Sequence, residues 1–387
     1  MGIKSVLWEK RLMASVAVYS HGYIFFFNEQ QNVLMKLNPQ DWNVEIICDL
    51  RGYDPDNDSA TGHLIMDENT IYKLELAGKR VLACNLENKL CKYVEIGCHY
   101  QDWGNFAGFA KYKDNLYIFP RFLRDITKVS TISWKVLKVE QSYLYNQDIS
   151  ETEEVFFCSV QREHDMWLFS RSKRIVIQYD MRDDSAHLKF LPEEIQFCID
   201  VVVEDDDFYI LDTNNSVFKW NVEKNSADLQ WKNLYSSQMK MEFGKLIVMK
   251  NRFIIMPSLG SNILIINREN NEMMINEIYP DDFQYVAPEN WAKYINFCED
   301  DKHFYFPMRS ANYILTIDKE EGMLSWHKPH FSNLTDYYLC LKKYSKKVMI
   351  ENDLKLEDFF MYIVEFNYKK NRNSPKSLGN EIYRNLS

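Results

Sequence analysis

The sequence predicts an all-β chain made of repeated four-stranded units, and three observations carry that prediction. A polar turn followed by a short aromatic-rich apolar run returns eight times, centred on Tyr23, Tyr72, Tyr117, Trp167, Tyr209, Ile254, Tyr305 and Val348. The gaps between those centres are 49, 45, 50, 42, 45, 51 and 43 residues, the period that ring-forming repeats use for one unit. Apolar residues recur mostly every second position, the mark of strands with one buried face. A closed ring of such units is a β-propeller. The chain is read as a single-domain propeller of eight four-stranded blades, with seven as the alternative because the eighth unit is the least regular.

Each unit repeats one grammar. In the fifth, residues 197–203, 208–211, 216–222 and 227–231 read as four strands separated by Asp/Asn-rich turns, whose side chains tolerate turn dihedrals and bond locally to the backbone. The first unit offers 14–18, 23–27, 33–37 and 44–48. The third offers 106–111, 116–119, 132–139 and a weak strand near Tyr143. The sixth offers 243–249, 253–256, 262–267 and 273–278, and the seventh 294–298, 304–306, 313–317 and 324–327. The eighth supplies only three strands, at 338–341, 347–351 and 359–366. Residues 5–9, an apolar run ahead of the first full unit, are expected to complete that last blade, since closure removes open sheet edges. Only Asp41-Trp42 and residues 376–386 suggest short helical pieces. The propeller is thus expected to span residues 1–368, followed by a basic, flexible tail at 369–387.

Composition narrows the function classes. The 387 residues carry a formal net charge of −10, which argues against a nucleic-acid or anionic-membrane partner, since phosphate surfaces demand a basic face. No targeting segment or long apolar stretch is found, and the expected location is the cytoplasm. The eight cysteines include no CxxC pair and are expected to be free thiols in a reducing compartment. No cofactor or metal motif is present, since the eight histidines lack HxH, HExxH and HxxxH spacing. The missing G-x-S-x-G, P-loop and Rossmann fingerprints remove several common enzyme classes.

The chain resembles kelch-type propellers in blade length, in its Tyr/Phe-rich second strands, and in segments such as Phe208-Tyr209-Ile210-Leu211-Asp212 running to Trp220-Asn221-Val222. The kelch glycine pair is replaced by Asn28-Glu29, Pro120-Arg121, Ser170-Arg171 or Asp212-Thr213. The resemblance implies architecture and leaves the partner open.

Loops joining strands two and three share a face with the loops joining successive blades. Three of them place an arginine just past the second strand: Arg121, Arg171 and Arg309, with Arg124 close to the first. Guanidinium forks suit carboxylates and phosphates, and they also lock neighbouring blades to acids. Trp103 beside Asp102, and Trp291 beside Glu289 and Asn290, combine an apolar face with directed hydrogen bonds, as ligand sites do and as interblade packing does. His63 and His99 are the acid–base candidates, placed in blade-joining loops. The expected function is a binding module that recognises a peptide, protein or glycan through this arginine and aromatic rim. The alternative is a propeller enzyme, a lyase, hydrolase or epimerase acting on a sugar or peptide.

Overall fold

The computed structural model describes residues 14, 16–28, 33–50, 61–75, 80–97, 106–122, 125–139, 155–232, 243–258, 262–276, 279–283, 294, 296–308 and 311–331. Within them the chain folds as an all-β, single-domain propeller of seven antiparallel sheets, each of four consecutive strands paired in chain order. In blade 5, for example, the strands are Cys198–Glu204, Asp207–Asp212, Val217–Asn221 and Ser226–Trp231. The inner strands of the other blades are Ala17–Ser20, Thr61–Asp67, Phe106–Tyr112, Phe156–Arg162, Phe243–Met249 and Cys298–Glu299.

Seven blades, rather than eight, follow from how the cores are shared. Seven hydrophobic clusters occur among the described residues, and each joins the facing sides of two adjacent blades. One of them packs Cys298, Tyr305 and Ile314 of blade 7 against Ala17, Phe26 and Met35 of blade 1. An open arc of seven sheets would have six such interfaces, so the seventh closes the ring and leaves no gap for another blade. Tyr19 and Tyr305 stack across this closure with centroids 5.8 Å apart.

Blade 7 has four strands of its own, and the segment after it, His330–Phe331, adds in parallel to the outer strand of blade 1, Asn43–Asp49. Residues 5–9, the eighth unit at 338–366 and the tail at 369–387 lie outside the described residues. Two smaller corrections concern local turns. In blade 3 the third and fourth strands are Ile126–Ser130 and Val136–Val139, and Ile132 sits on an exposed turn, because the turn-forming Thr131-Ile132-Ser133 splits the run. Asp41-Trp42 forms a turn rather than a helical piece, with Trp42 in a left-handed conformation.

The two faces of the ring are built differently. In blades 1 to 5 the first and second strands are joined by two-residue hairpins whose first residue has positive φ, namely His21, Glu68, Lys113, Glu163 and Asp205. These tight turns leave little reach on that face. Acidic residues near it tie blades together: Lys111 meets Asp67 at 2.9 Å, Lys128 meets Asp184 at 2.8 Å, and Arg268 meets Glu204 at 3.0 Å. The opposite face carries the starts of the inner strands.

Candidate functional site

Each of the inner strands of blades 2 to 6 has a bulge near its start. The ladder to the second strand slips between Thr61 and His63, between Phe156 and Cys158, between Cys198 and Asp200, and between Phe243 and Lys245, with the same slip opposite Phe119-Pro120 in blade 3. A bulge inserts an unpaired residue and re-aims the side chains around it. The third residue of each seven-residue strand therefore occupies an equivalent place in five successive blades. Those residues are His63, Gly108, Cys158, Asp200 and Lys245.

This row is polar. Lys245 Nζ lies 2.9 Å from Asp200 Oδ1, and Asp200 Oδ2 accepts the Leu246 N–H at 2.8 Å. Burial alone would lower Lys245, but the Asp200 carboxylate outweighs it and holds the ammonium above its usual value. Cys158 and Cys198 approach to 3.4 Å, and burial followed by the Cys158 thiol pushes Cys198 up. His63 is driven the other way: burial first, then the Arg121 guanidinium, lower it to about 4, with Lys245 adding to the effect and the Phe106 carbonyl opposing it. Its imidazole is neutral at neutral pH. Gly108 is closely approached, since a Cβ there would stand 2.6 Å from Ser159 Oγ and would displace the end of the Met166 side chain.

Above the row, two of the rim arginines share one ring. Arg171 places its guanidinium carbon 4.5 Å from the Phe157 centroid, and Arg121 places its own at 5.0 Å. Phe157 is the bulged residue of its strand, freed from the ladder and half-exposed. Arg121 is positioned by its neighbours: its Nε donates to the Phe106 carbonyl at 3.1 Å, and its own carbonyl accepts the N–H groups of Val155 and Phe156 at 2.8 and 2.9 Å. That links the loop of blade 3 to the start of blade 4. Arg171 is exposed and forms no ion pair with a carboxylate among the described residues. An aromatic face with two cations over it offers directed donors to an anionic group and a surface for an apolar one.

His63 lies on the inner strand of blade 2 rather than in a joining loop, because Thr61–Asp67 pairs along its length with the second strand. It is thereby brought to Arg121. Arg124, Arg309, Asp102, Trp103, His99, Glu289, Asn290 and Trp291 lie outside the described residues. Sequence reasoning passed over Phe157, Asp200 and Lys245. For Asp200 and Lys245 a signal was present: aligning the five first strands on their third residue reads His, Gly, Cys, Asp, Lys.

A second titratable group lies on the tight-turn face, where ligand atoms of His164, Asp165 and Asp180 stand within 4.8 Å of one another. Arg182 already occupies it, with Nε donating to Asp180 Oδ1 at 3.0 Å and holding that carboxyl down to about 2. Gln178 Nε2 donates to Asp165 Oδ2 at 2.6 Å. The group is an ion-pair network that fastens the turn.

No family model matches the chain, and no curated protein matches it. Among solved structures it is similar to a streptogramin B lyase, at 10% identity and TM-score 0.57, over 82% of this chain and 95% of that one. It is also similar to virginiamycin B lyase from Staphylococcus aureus, at 10% identity and TM-score 0.56, over 78% and 93% of the two chains. The computationally designed Ika8 protein matches at 9% identity and TM-score 0.52, over 83% and 89%. Likeness at this identity establishes the β-propeller fold and nothing finer.

Proposed function

We propose that the protein is a cytoplasmic, kelch-like binding module that holds a carboxylate-bearing peptide, protein segment or glycan on the face carrying Arg121, Arg171 and Phe157. The observation that carries this reading is the exposed Arg171 guanidinium, seated on Phe157 at 4.5 Å with no carboxylate paired to it among the described residues. A cation that served to lock blades would face a carboxylate, as Lys245 and Arg268 do. Arg121 adds a second donor at the same ring, fixed by backbone hydrogen bonds and so preorganised. Arg124, Arg309, Asp102, Trp103, Glu289, Asn290 and Trp291, all outside the described residues, are proposed to complete the rim. The net charge of −10 disfavours nucleic acid and membrane as partners. The free thiols of the described cysteines support a reducing compartment.

An array of glutamate-rich peptides and uronic-acid oligosaccharides, probed with wild-type protein and with the Arg121→Ala/Arg171→Ala variant, tests this reading. Retention of acidic ligands by the wild type alone supports it. Equal retention by both proteins, or a preference for neutral ligands, overturns it.

The second reading is an enzyme acting on a sugar or peptide. It is favoured by the neutral imidazole of His63 next to the Arg121 guanidinium, a base beside a group able to hold a substrate carboxylate. His99 is the other candidate from the sequence. If this reading holds, a ligand found on the array is chemically altered by the wild type and left intact by His63→Asn.

A further inference from the structure

Three cysteines meet at the seam between blades 1 and 2. Cys84 closes toward Cys91 within blade 2, where the two stand directly opposite each other on neighbouring antiparallel strands. Their sulfurs are 2.7 Å apart. Cys48, on the outer strand of blade 1, reaches across the seam to within 3.4 Å of the Cys91 sulfur, and its thiol points at the Lys89 carbonyl at 3.5 Å. Cys91 is thus the shared neighbour of both other thiols.

The three differ in access. Cys84 is 1% exposed and Cys91 9%, whereas Cys48 is only partly covered. The turn that carries Cys91 is firmly held, with Asn85 N–H bonded to the Leu90 carbonyl at 2.9 Å and Asn85 Oδ1 accepting the Glu87 and Asn88 N–H groups. A disulfide needs sulfurs about 2.05 Å apart, and both pairs of sulfurs already stand within about 1.4 Å of that separation.

We propose that Cys48, Cys91 and Cys84 form a thiol relay in which Cys48 accepts oxidation from a peroxide and the seam stores it as a Cys84–Cys91 disulfide. In the first step the Cys48 sulfur attacks a peroxide oxygen, giving a sulfenic acid and one water when the oxidant is hydrogen peroxide. The Cys91 thiol then displaces hydroxide from that sulfur, releasing a second water and forming Cys48–Cys91. Finally the Cys84 sulfur attacks Cys91, Cys48 leaves as a thiol after taking the proton that Cys84 loses, and Cys84–Cys91 remains. Two thiols are oxidised and one peroxide is reduced to two waters.

The order follows from the surroundings. The Cys48 thiol pulls Cys91 toward its thiolate, but Cys84 and burial outweigh that pull and raise Cys91 to about 12. Cys91 is a poor first target for an oxidant, since the thiolate is the reactive form. Cys48, nearer solvent, meets the peroxide first.

The reduced full-length protein, exposed to limiting hydrogen peroxide and quenched with acidic N-ethylmaleimide, provides the test. Trypsin cleaves after Lys89 and so separates Cys84 from Cys91, giving each pairing its own linked mass. The wild type is expected to yield Cys84–Cys91, and Cys84→Ser to yield Cys48–Cys91. Cys48→Ser should form Cys84–Cys91 about tenfold more slowly or worse, as expected when a buried thiol must meet the oxidant directly. A wild-type rate in Cys48→Ser overturns the relay. So does a wild-type protein whose three thiols stay alkylated, or a linkage that omits Cys91.

Discussion

Trp42 and His327 stack with ring centroids 3.9 Å apart and planes 11° from parallel, joining the first blade to the seventh. Trp42 also presents its carbonyl to the His330 N–H at 2.9 Å, so one residue contacts the last blade and anchors the strand that follows it. His327 Nε2 lies 3.1 Å from Thr316 Oγ1, and burial, then the charge of His303, hold the imidazole below its usual value.

Trp42→Ala should open this closure. Burial of an aromatic ring against a partner supports a loss of about 2–4 kcal/mol, toward the lower end because Trp42 is only partly buried. Equilibrium unfolding in urea measures it. A change below about 0.5 kcal/mol, the range of an ordinary surface substitution, would show that the closure rests elsewhere.

Much of the architecture was legible in the sequence because the same short-range rules recur in every unit. Phe208-Tyr209-Ile210-Leu211 is a buried second strand, and the Glu204 to Asp207 turn closes its hairpin as the Asp-rich stretch suggests. Blade number was harder. The eighth apolar run around Val348 repeats the local pattern, but ring closure is decided by which faces pack, and Tyr19 against Tyr305 is a contact across the whole chain. The site was half visible. Arg121 and Arg171 follow equivalent strands, which a linear reading can see. Their meeting at Phe157 depends on a bulge, and no local residue pattern announces which residue a ladder leaves unpaired.

His63 should make the fold acid-sensitive. Its folded value, about 4, lies below the unfolded value near 6.5. The unfolded chain therefore binds the proton first, so the stabilisation is complete above about pH 6.5 and is lost progressively as the pH falls toward 4. The size of that loss is on the order of 2–3 kcal/mol, at about 1.4 kcal/mol per unit. Urea unfolding of the wild type and of His63→Asn between pH 7 and pH 4 isolates the contribution, because other titrating groups are common to both. Parallel stability curves would contradict it.

Lys245 and Asp200 should behave as a coupled pair. Lys245→Met leaves the 4%-exposed Asp200 carboxylate with the Leu246 N–H but without its cation, and a loss of about 3 kcal/mol is expected. Adding Asp200→Asn to the same chain should recover part of it, since the stranded charge is gone. A double-mutant cycle by thermal unfolding checks this, and strictly additive losses would show that the two side chains act independently.

The most direct test of the anion-binding face is the Arg171→Ala variant, measured for affinity by calorimetry with an acidic ligand from the array and for stability by thermal melting. Arg171 is exposed and, among the described residues, its contact is a single ring, so the melt should stay within about 0.5 kcal/mol of the wild type. Affinity should fall at least tenfold, the loss of one charge-assisted hydrogen bond of about 1.5–3 kcal/mol. Unchanged affinity, or a loss of binding matched by a large drop in melting temperature, would contradict the account.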